Sequence, residues 1–96
     1  MVDQMRFKDI DDSLDLIKYE DVSFESFSYN AGERKAKSIP SKSGYTPISS
    51  VIMSSNIDYT NFASFLTNGY VTIQNLYSTE LIASFDVRIY YIKTQW

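Results

Sequence analysis

The sequence predicts an all-β fold, an antiparallel β-sandwich of jelly-roll-like type with a short N-terminal helix or extended leader, and three observations carry that expectation. In residues 81–93, Leu81, Ala83, Phe85, Val87, Ile89 and Tyr91 share one parity, while Ser84, Asp86, Arg88 and Tyr90 share the other. A side-chain period of two held over so long a run describes a strand with one face on a core and one in water. From Val22 onward, short stretches rich in Ser, Thr, Tyr, Phe and Val are separated by turn residues at brief intervals, the pattern of many short strands. Eight Tyr, six Phe and one Trp among 96 residues complete the case, since aromatic side chains fit a pleated, half-buried surface.

Taken in order, residues 1–20 form an acidic leader and residues 21–96 the sandwich domain. Residues 1–21 hold seven of the twelve acidic side chains, against Arg6, Lys8 and Lys18. Phe7, Ile10, Leu14 and Ile17 are spaced by three, four and three, one apolar stripe of a helix over residues 5–18. Two heptads do not make a stable coiled coil unaided, so the stripe docks on the sheet, continues a trimeric stalk, or is instead an extended entry segment.

Strands are expected near 21–29, 33–39, 46–54, 61–66, 69–76 and 81–93. In the first, Val22 and Phe24 lie on one parity and Phe27 and Tyr29 on the other, so a one-residue bulge between the pairs would return all four to the core. Asn30-Ala31-Gly32 reads as a hairpin turn, with Gly32 or Asn30 supplying the positive φ. The polar, basic run 33–39 suits an edge strand whose lysines discourage sheet-to-sheet pairing, with a patch for phosphate or acidic glycan as the sharper reading. Pro40 ends that strand, and Pro47 stands near the start of the next, where proline is tolerated. Asn68-Gly69 is a strong turn signal between two strands. The last strand is expected to be central. Burial of Leu81, Phe85, Val87, Ile89 and Tyr91 would contribute about 8–15 kcal/mol before the entropy of ordering is subtracted.

Composition narrows the chemistry. The chain has no cysteine and no histidine, which removes thiolate ligands and nucleophiles, the usual general base near neutral pH and the commonest transition-metal ligand. Residues 22–96 carry five acidic and six basic side chains, a near balance that supplies no basic face for nucleic acid. No apolar run approaches the roughly 20 residues of a membrane helix, so no membrane insertion is expected. At this length the core is thin, and oligomerisation would help it.

Asp9, Asp11, Asp12, Ser13 and Asp15, with Glu20, echo a calcium loop, but Leu14 stands where that loop requires glycine, so a solvated acidic face is the better reading. Asp86 and Arg88 share the outer face of the last strand and read as cross-strand surface partners rather than as half of a catalytic carboxylate pair. Nothing activates a serine. No catalytic residue, metal site or cofactor is expected, and enzyme activity is not. Tyrosines and amides near turns are the chemistry of sugar recognition: a ring face for the sugar, with donors and acceptors for its hydroxyls. Tyr45, Asn56, Asp58, Tyr59 and Tyr77 are the candidate ligand-binding residues, with Asn68 and Asn75 beside them.

One order of segments carries a resemblance: Asn30-Ala31-Gly32, a polar strand, Ser43-Gly44-Tyr45-Thr46-Pro47-Ile48, a variable region, Asn68-Gly69-Tyr70-Val71-Thr72-Ile73-Gln74-Asn75, and Val87-Arg88-Ile89-Tyr90-Tyr91-Ile92-Lys93. Over about residues 22–93 it resembles the small C-terminal head domains of tail-fibre and baseplate (receptor-binding) proteins of phages that infect Gram-positive bacteria. The chain departs from that pattern where Ile48 is followed by Ser49-Ser50 instead of a hydrophobic, glycine-containing stretch. The resemblance implies a β-sandwich head that assembles as a homotrimer in the virion tail or baseplate, is made in the host cytoplasm, contacts other phage tail proteins and binds host cell-wall carbohydrate. Two alternatives stand beside it: a tail assembly or accessory protein that contacts only other virion proteins, and a cellular carbohydrate-binding module.

Overall fold

The structure is a computed structural model and describes residues 16–96. They form six strands: β1 (Ile17–Tyr29), β2 (Arg34–Ser38), β3 (Tyr45–Ser55), β4 (Phe62–Thr67), β5 (Tyr70–Asn75) and β6 (Leu81–Lys93). These make two antiparallel three-stranded sheets, with order β1-β6-β3 in one and β2-β5-β4 in the other, a sandwich-like all-β fold. The apolar helical stripe at Phe7, Ile10 and Leu14 and the acidic run at residues 9–15 lie outside the described residues. The remainder of that expected helix is corrected: Leu16 is in a turn and Ile17 opens β1. There Ile17 and Tyr19 share a face and sit opposite Ile92 and Tyr90 of β6, so cross-strand pairing outweighs the helical spacing. β1 thus takes in Ile17–Glu20, residues that the sequence grouped with the leader.

Strand β6 is central, flanked by β1 and β3, and its alternation is realised in full. Ala83, Phe85, Val87, Ile89 and Tyr91 are buried, and they meet Val71 and Ile73 of β5, Phe62 of β4, and Phe24 and Tyr29 of β1 in one core. The bulge in β1 lies between Phe24 and Phe27, where Phe24 pairs with Phe85 and Phe27 with Ala83, so the extra residue brings Tyr29 back into the core. Asn68 and Gly69 have φ of 49° and 84°, the two positive values of the tight turn that joins β4 to β5. Pro47 lies in β3, an edge strand, beside a register shift between Pro47 and Ser49.

The turn at Asn30-Ala31-Gly32 has the expected glycine, with φ of 76° at Gly32, but it is not a hairpin. β1 pairs with β6 and β2 with β5, so this turn carries the chain from one sheet to the other. Its amides are held by β5: Gly32 N–H donates to the Asn75 carbonyl, and Asn75 N–H to that of Glu33.

β2 is an edge strand, as its charge suggests, and its lysines point inward. Lys35 lies over the rings of Phe27 and Tyr29, and Lys37 lies over Phe24 while its Nζ donates to the Ser23 carbonyl at 2.7 Å. Their stems lie along the aromatic rings of β1, which leaves Arg34, exposed and over the Phe65 ring at 5.2 Å, as the outward cation of β2. Of the outer-face charges of β6, Arg88 reaches Asp21 directly opposite through two hydrogen bonds of 2.8 and 3.2 Å and stacks on Tyr19 at 3.9 Å. That bond holds the Asp21 carboxyl below its ordinary range.

Tyr29 is fully buried between the rings of Phe62 and Phe85, each edge-on at 5.7 Å, and its hydroxyl has no hydrogen-bond partner among the described residues. Burial, then the nearby Glu33 carboxylate, pushes its ionisation up to about 12 from 10.0. Because the folded value lies above the unfolded one, the associated stability is intact below pH 10 and is lost as pH rises towards 12. Tyr29→Phe should therefore keep or raise stability at pH 7, by up to about 1 kcal/mol, because it removes a desolvated group that bonds to none of the described residues. In thermal melts at stepped pH the variant should also lose less stability than the parent between pH 10 and 12. A loss of more than 1 kcal/mol at pH 7 would mean the hydroxyl is satisfied.

Candidate functional site

Three connections meet at one end of the sandwich: residues 30–33 between β1 and β2, 56–61 between β3 and β4, and 76–80 between β5 and β6. A buried side chain ties the first and third together. Asn75 ends β5 fully buried, and its Nδ2 donates to the carbonyls of Tyr29 at 3.0 Å and Thr79 at 3.0 Å, with a longer contact to that of Asn30 at 3.3 Å. Its Oδ1 accepts from Tyr77 N–H at 2.8 Å. Asn75, grouped with the sugar-binding amides on sequence, thus turns its amide wholly to its own backbone.

The five candidate residues separate by role. Asp58 caps its own turn: Oδ1 accepts from Thr60 Oγ1 at 2.6 Å and Thr60 N–H at 3.0 Å, and these bonds, the hydroxyl's first, hold its carboxyl below the ordinary range. Tyr77 is half-buried with its ring on Phe62, 5.7 Å between centroids, and its hydroxyl donates to the Asp58 carbonyl at 3.3 Å. Together with Leu76 N–H, which donates to the Asn61 carbonyl at 2.8 Å, it braces the 56–61 loop against the 76–80 loop. Asn56 and Tyr59 are exposed on that braced loop and face two separate depressions.

Tyr45 does not join them. It opens β3 opposite Lys93, the last residue of β6, whereas Ser55 at the far end of β3 lies opposite Phe85, so the length of β3 separates Tyr45 from Asn56. Its ring packs against the core, with Lys18 Nζ 5.1 Å from the centroid, beside a pocket walled by Pro40, Lys42 and Tyr91. The grouping of Tyr45 with the other four is corrected on this ground: a tyrosine next to a turn sits at whichever end its strand begins.

Tyr59 and Thr60 form one wall of an open depression of about 360 Å³ along the side where the edge strands β3 and β4 lie together. Val51 and Phe62 supply apolar surface, and Ser50 Oγ donates to Ser64 Oγ at 3.1 Å across the two sheets. A half-exposed ring beside hydroxyls and an apolar floor is a surface on which a sugar face can rest. Around Asn56 a second depression, of about 410 Å³, opens on the outer face of β1-β6-β3, lined by Ser23, Ser54, Ser84 and Asp86. The sequence placed Ser84 and Asp86 on that face but gave no means of setting Ser23 and Ser54 beside them, because that needs the register on both flanking strands.

Asn75→Ala should destabilise the fold by about 3 kcal/mol in urea unfolding, since it strands several buried backbone groups at once. Asn68→Ala, at the exposed tight turn, should cost only about 1–2 kcal/mol, the strain of a positive φ without glycine or asparagine. Equal losses would deny Asn75 its special place. Comparison of the chain with protein families, with curated proteins and with solved structures finds no match in any of the three.

Proposed function

We propose that this protein is a homotrimeric structural component of a phage tail or baseplate whose braced sandwich end binds host cell-surface saccharide. The observation that carries the reading is the pairing of two open, hydroxyl-lined depressions on either side of one loop, with Asn56 at the first and Tyr59 at the second. The order of segments that resembles phage head domains supports it. Gly44, with φ of 81°, leads into the Tyr45–Ser55 strand, Tyr70–Asn75 is a strand ending in asparagine, and residues 87–93 close the chain's central strand. The role is one of binding, without catalysis.

A second reading, an assembly protein that contacts only other virion proteins, draws on the opposite half of the β1-β6-β3 face. Ile17 and Tyr19 of β1 stand there beside Ile92 and Tyr90 of β6, and Ile17, Tyr19 and Ile92 are exposed, an apolar and aromatic surface suited to a protein neighbour.

Light scattering of the purified protein should give three times the 11.1 kDa chain mass, and a monomer mass would remove the trimer. Fluorescently labelled protein should bind intact susceptible cells. Tyr59→Ala should lower that binding at least tenfold with the melting temperature unchanged, whereas Tyr70→Ser, exposed at the opposite end, should leave it as it was. Absence of binding to every susceptible host, or equal loss in both variants, favours the assembly role.

A further inference from the structure

The depression around Asn56 is a consequence of the sheet's irregularities. β1 shifts register between Phe24 and Phe27, next to Phe85 and Ala83, and β3 shifts between Ile52 and Ser54, next to Val87 and Asp86. Central strand β6 therefore has an irregular neighbour on each side at the same level, and bulges bend the strands that carry them and re-aim their side chains. The hollow so formed, at about 410 Å³, falls within the range of about 300–1,000 Å³ for small-molecule pockets.

Its polar groups are arranged across the strands. Ser23, Asp86 and Ser54 stand in one row over β1, β6 and β3. Asp86 Oδ1 accepts from Ser23 Oγ at 2.9 Å and Oδ2 from Ser54 Oγ at 3.1 Å, so the carboxylate is oriented from both sides while each oxygen keeps acceptor capacity. Asn56 Oδ1 accepts from Ser84 N–H at 3.0 Å, which fixes the amide and leaves its Nδ2 donors without a partner among the described residues. Phe24 and Phe85 also line the hollow, at the level of the sheet itself, since their rings are turned into the core on its other face. Among the described residues no lysine or arginine lines the hollow: Lys37 is turned to the Ser23 carbonyl and Arg88 to Asp21.

We propose that this hollow is a subsite for an uncharged sugar ring. Asp86 accepts hydrogen bonds from two adjacent hydroxyls, and Asn56 Nδ2 and Ser84 Oγ donate to the ring's other oxygens. The inference rests on the saccharide-binding reading above and adds to it a site and a selectivity. A carboxylate with two acceptor oxygens matches a vicinal diol, and the same carboxylate, with no cation of the described residues beside it in the hollow, repels phosphate- or carboxylate-bearing glycans.

Amide-resolved NMR of the isotope-labelled full chain tests this, with methyl glucoside, methyl galactoside, N-acetylglucosamine and glucose 6-phosphate as probes at millimolar concentration. At least one neutral sugar should shift the amides of residues 23, 54–56 and 84–86 saturably, and glucose 6-phosphate should bind at least tenfold more weakly. Asp86→Asn should weaken the neutral sugar at least tenfold. Ser84→Val, which fills the hollow on a strand position that accepts a branched side chain, should abolish the shifts while keeping a dispersed spectrum. Equal binding of the phosphorylated sugar overturns the inference, as do shifts confined to Tyr59 and Tyr77 that Asp86→Asn does not alter. Silence from all four probes, with Tyr59-dependent cell binding intact, overturns this subsite and leaves the tail-tip reading standing; silence with no cell binding overturns both.

Discussion

The buried carboxamide of Asn75 is the point on which this end of the sandwich depends. Among the described residues four of the five connections between strands cross between the sheets, and only the Asn68-Gly69 turn joins neighbours within one. A crossing chain lacks the ladder bonds that a hairpin supplies, so its buried backbone groups must find partners elsewhere. Asn75 supplies them at one place, through hydrogen bonds to Tyr29, Asn30, Tyr77 and Thr79, while its own backbone holds Gly32 and Glu33. No apolar residue of that volume could replace it, because each of those groups would lose its bond at a cost of about 1–3 kcal/mol.

Packing reinforces the same end. The aromatic side chains Tyr29, Phe62, Phe85 and Tyr77 meet there, with centroid separations between 4.9 and 5.7 Å. Edge-on and tilted ring pairs of this kind add about 0.5–1.5 kcal/mol each beyond the area they bury. The loop that carries Asn56 and Tyr59 is therefore mounted on a stiff base, by way of Phe62, Tyr77 and the Asp58 turn. A surface that binds a small rigid ligand gains from this, since less freedom is lost on binding.

Much of the fold was legible in the sequence wherever one strand's own pattern decided the matter. The parity of residues 81–93 marked the central strand, the parity switch between Phe24 and Phe27 marked a bulge, and Asn68-Gly69 marked the hairpin. What was not legible needed a partner strand. The turn at Asn30-Ala31-Gly32 looks the same whether its flanking strands pair with each other or with β6 and β5, and Lys35 and Lys37 look outward until the opposed Phe24, Phe27 and Tyr29 are known. Asparagine and tyrosine near a turn were ambiguous for the same reason: Asn75 is buried among several backbone groups, whereas Asn56 is exposed and meets one, the Ser84 N–H. Of the candidate site, the loop at 56–59 could be located, whereas the row Ser23–Asp86–Ser54 arises from two bulges acting on different strands.

The outer face of β1-β6-β3 divides along its length, and the division follows from those same bulges. Towards the bulges the face carries Ser23, Asp86, Ser54 and Ser84 in a hollow, while beyond the Asp21–Arg88 pair it carries Ile17, Tyr19, Tyr90 and Ile92. The apolar half lies where the β1–β6 ladder is unbroken and only the β3 side is shifted, between Pro47 and Ser49, so Ile17, Tyr19, Tyr90 and Ile92 line up across two regularly paired strands. Where both flanking strands shift at one level, by contrast, the face opens into a hollow lined by serines and Asp86, a shape that suits a small ligand better than a flat protein surface. Saccharide and protein neighbours, as proposed, would then use opposite halves of one sheet without competing, and the Asp21–Arg88 pair, stacked on Tyr19, marks the border between them.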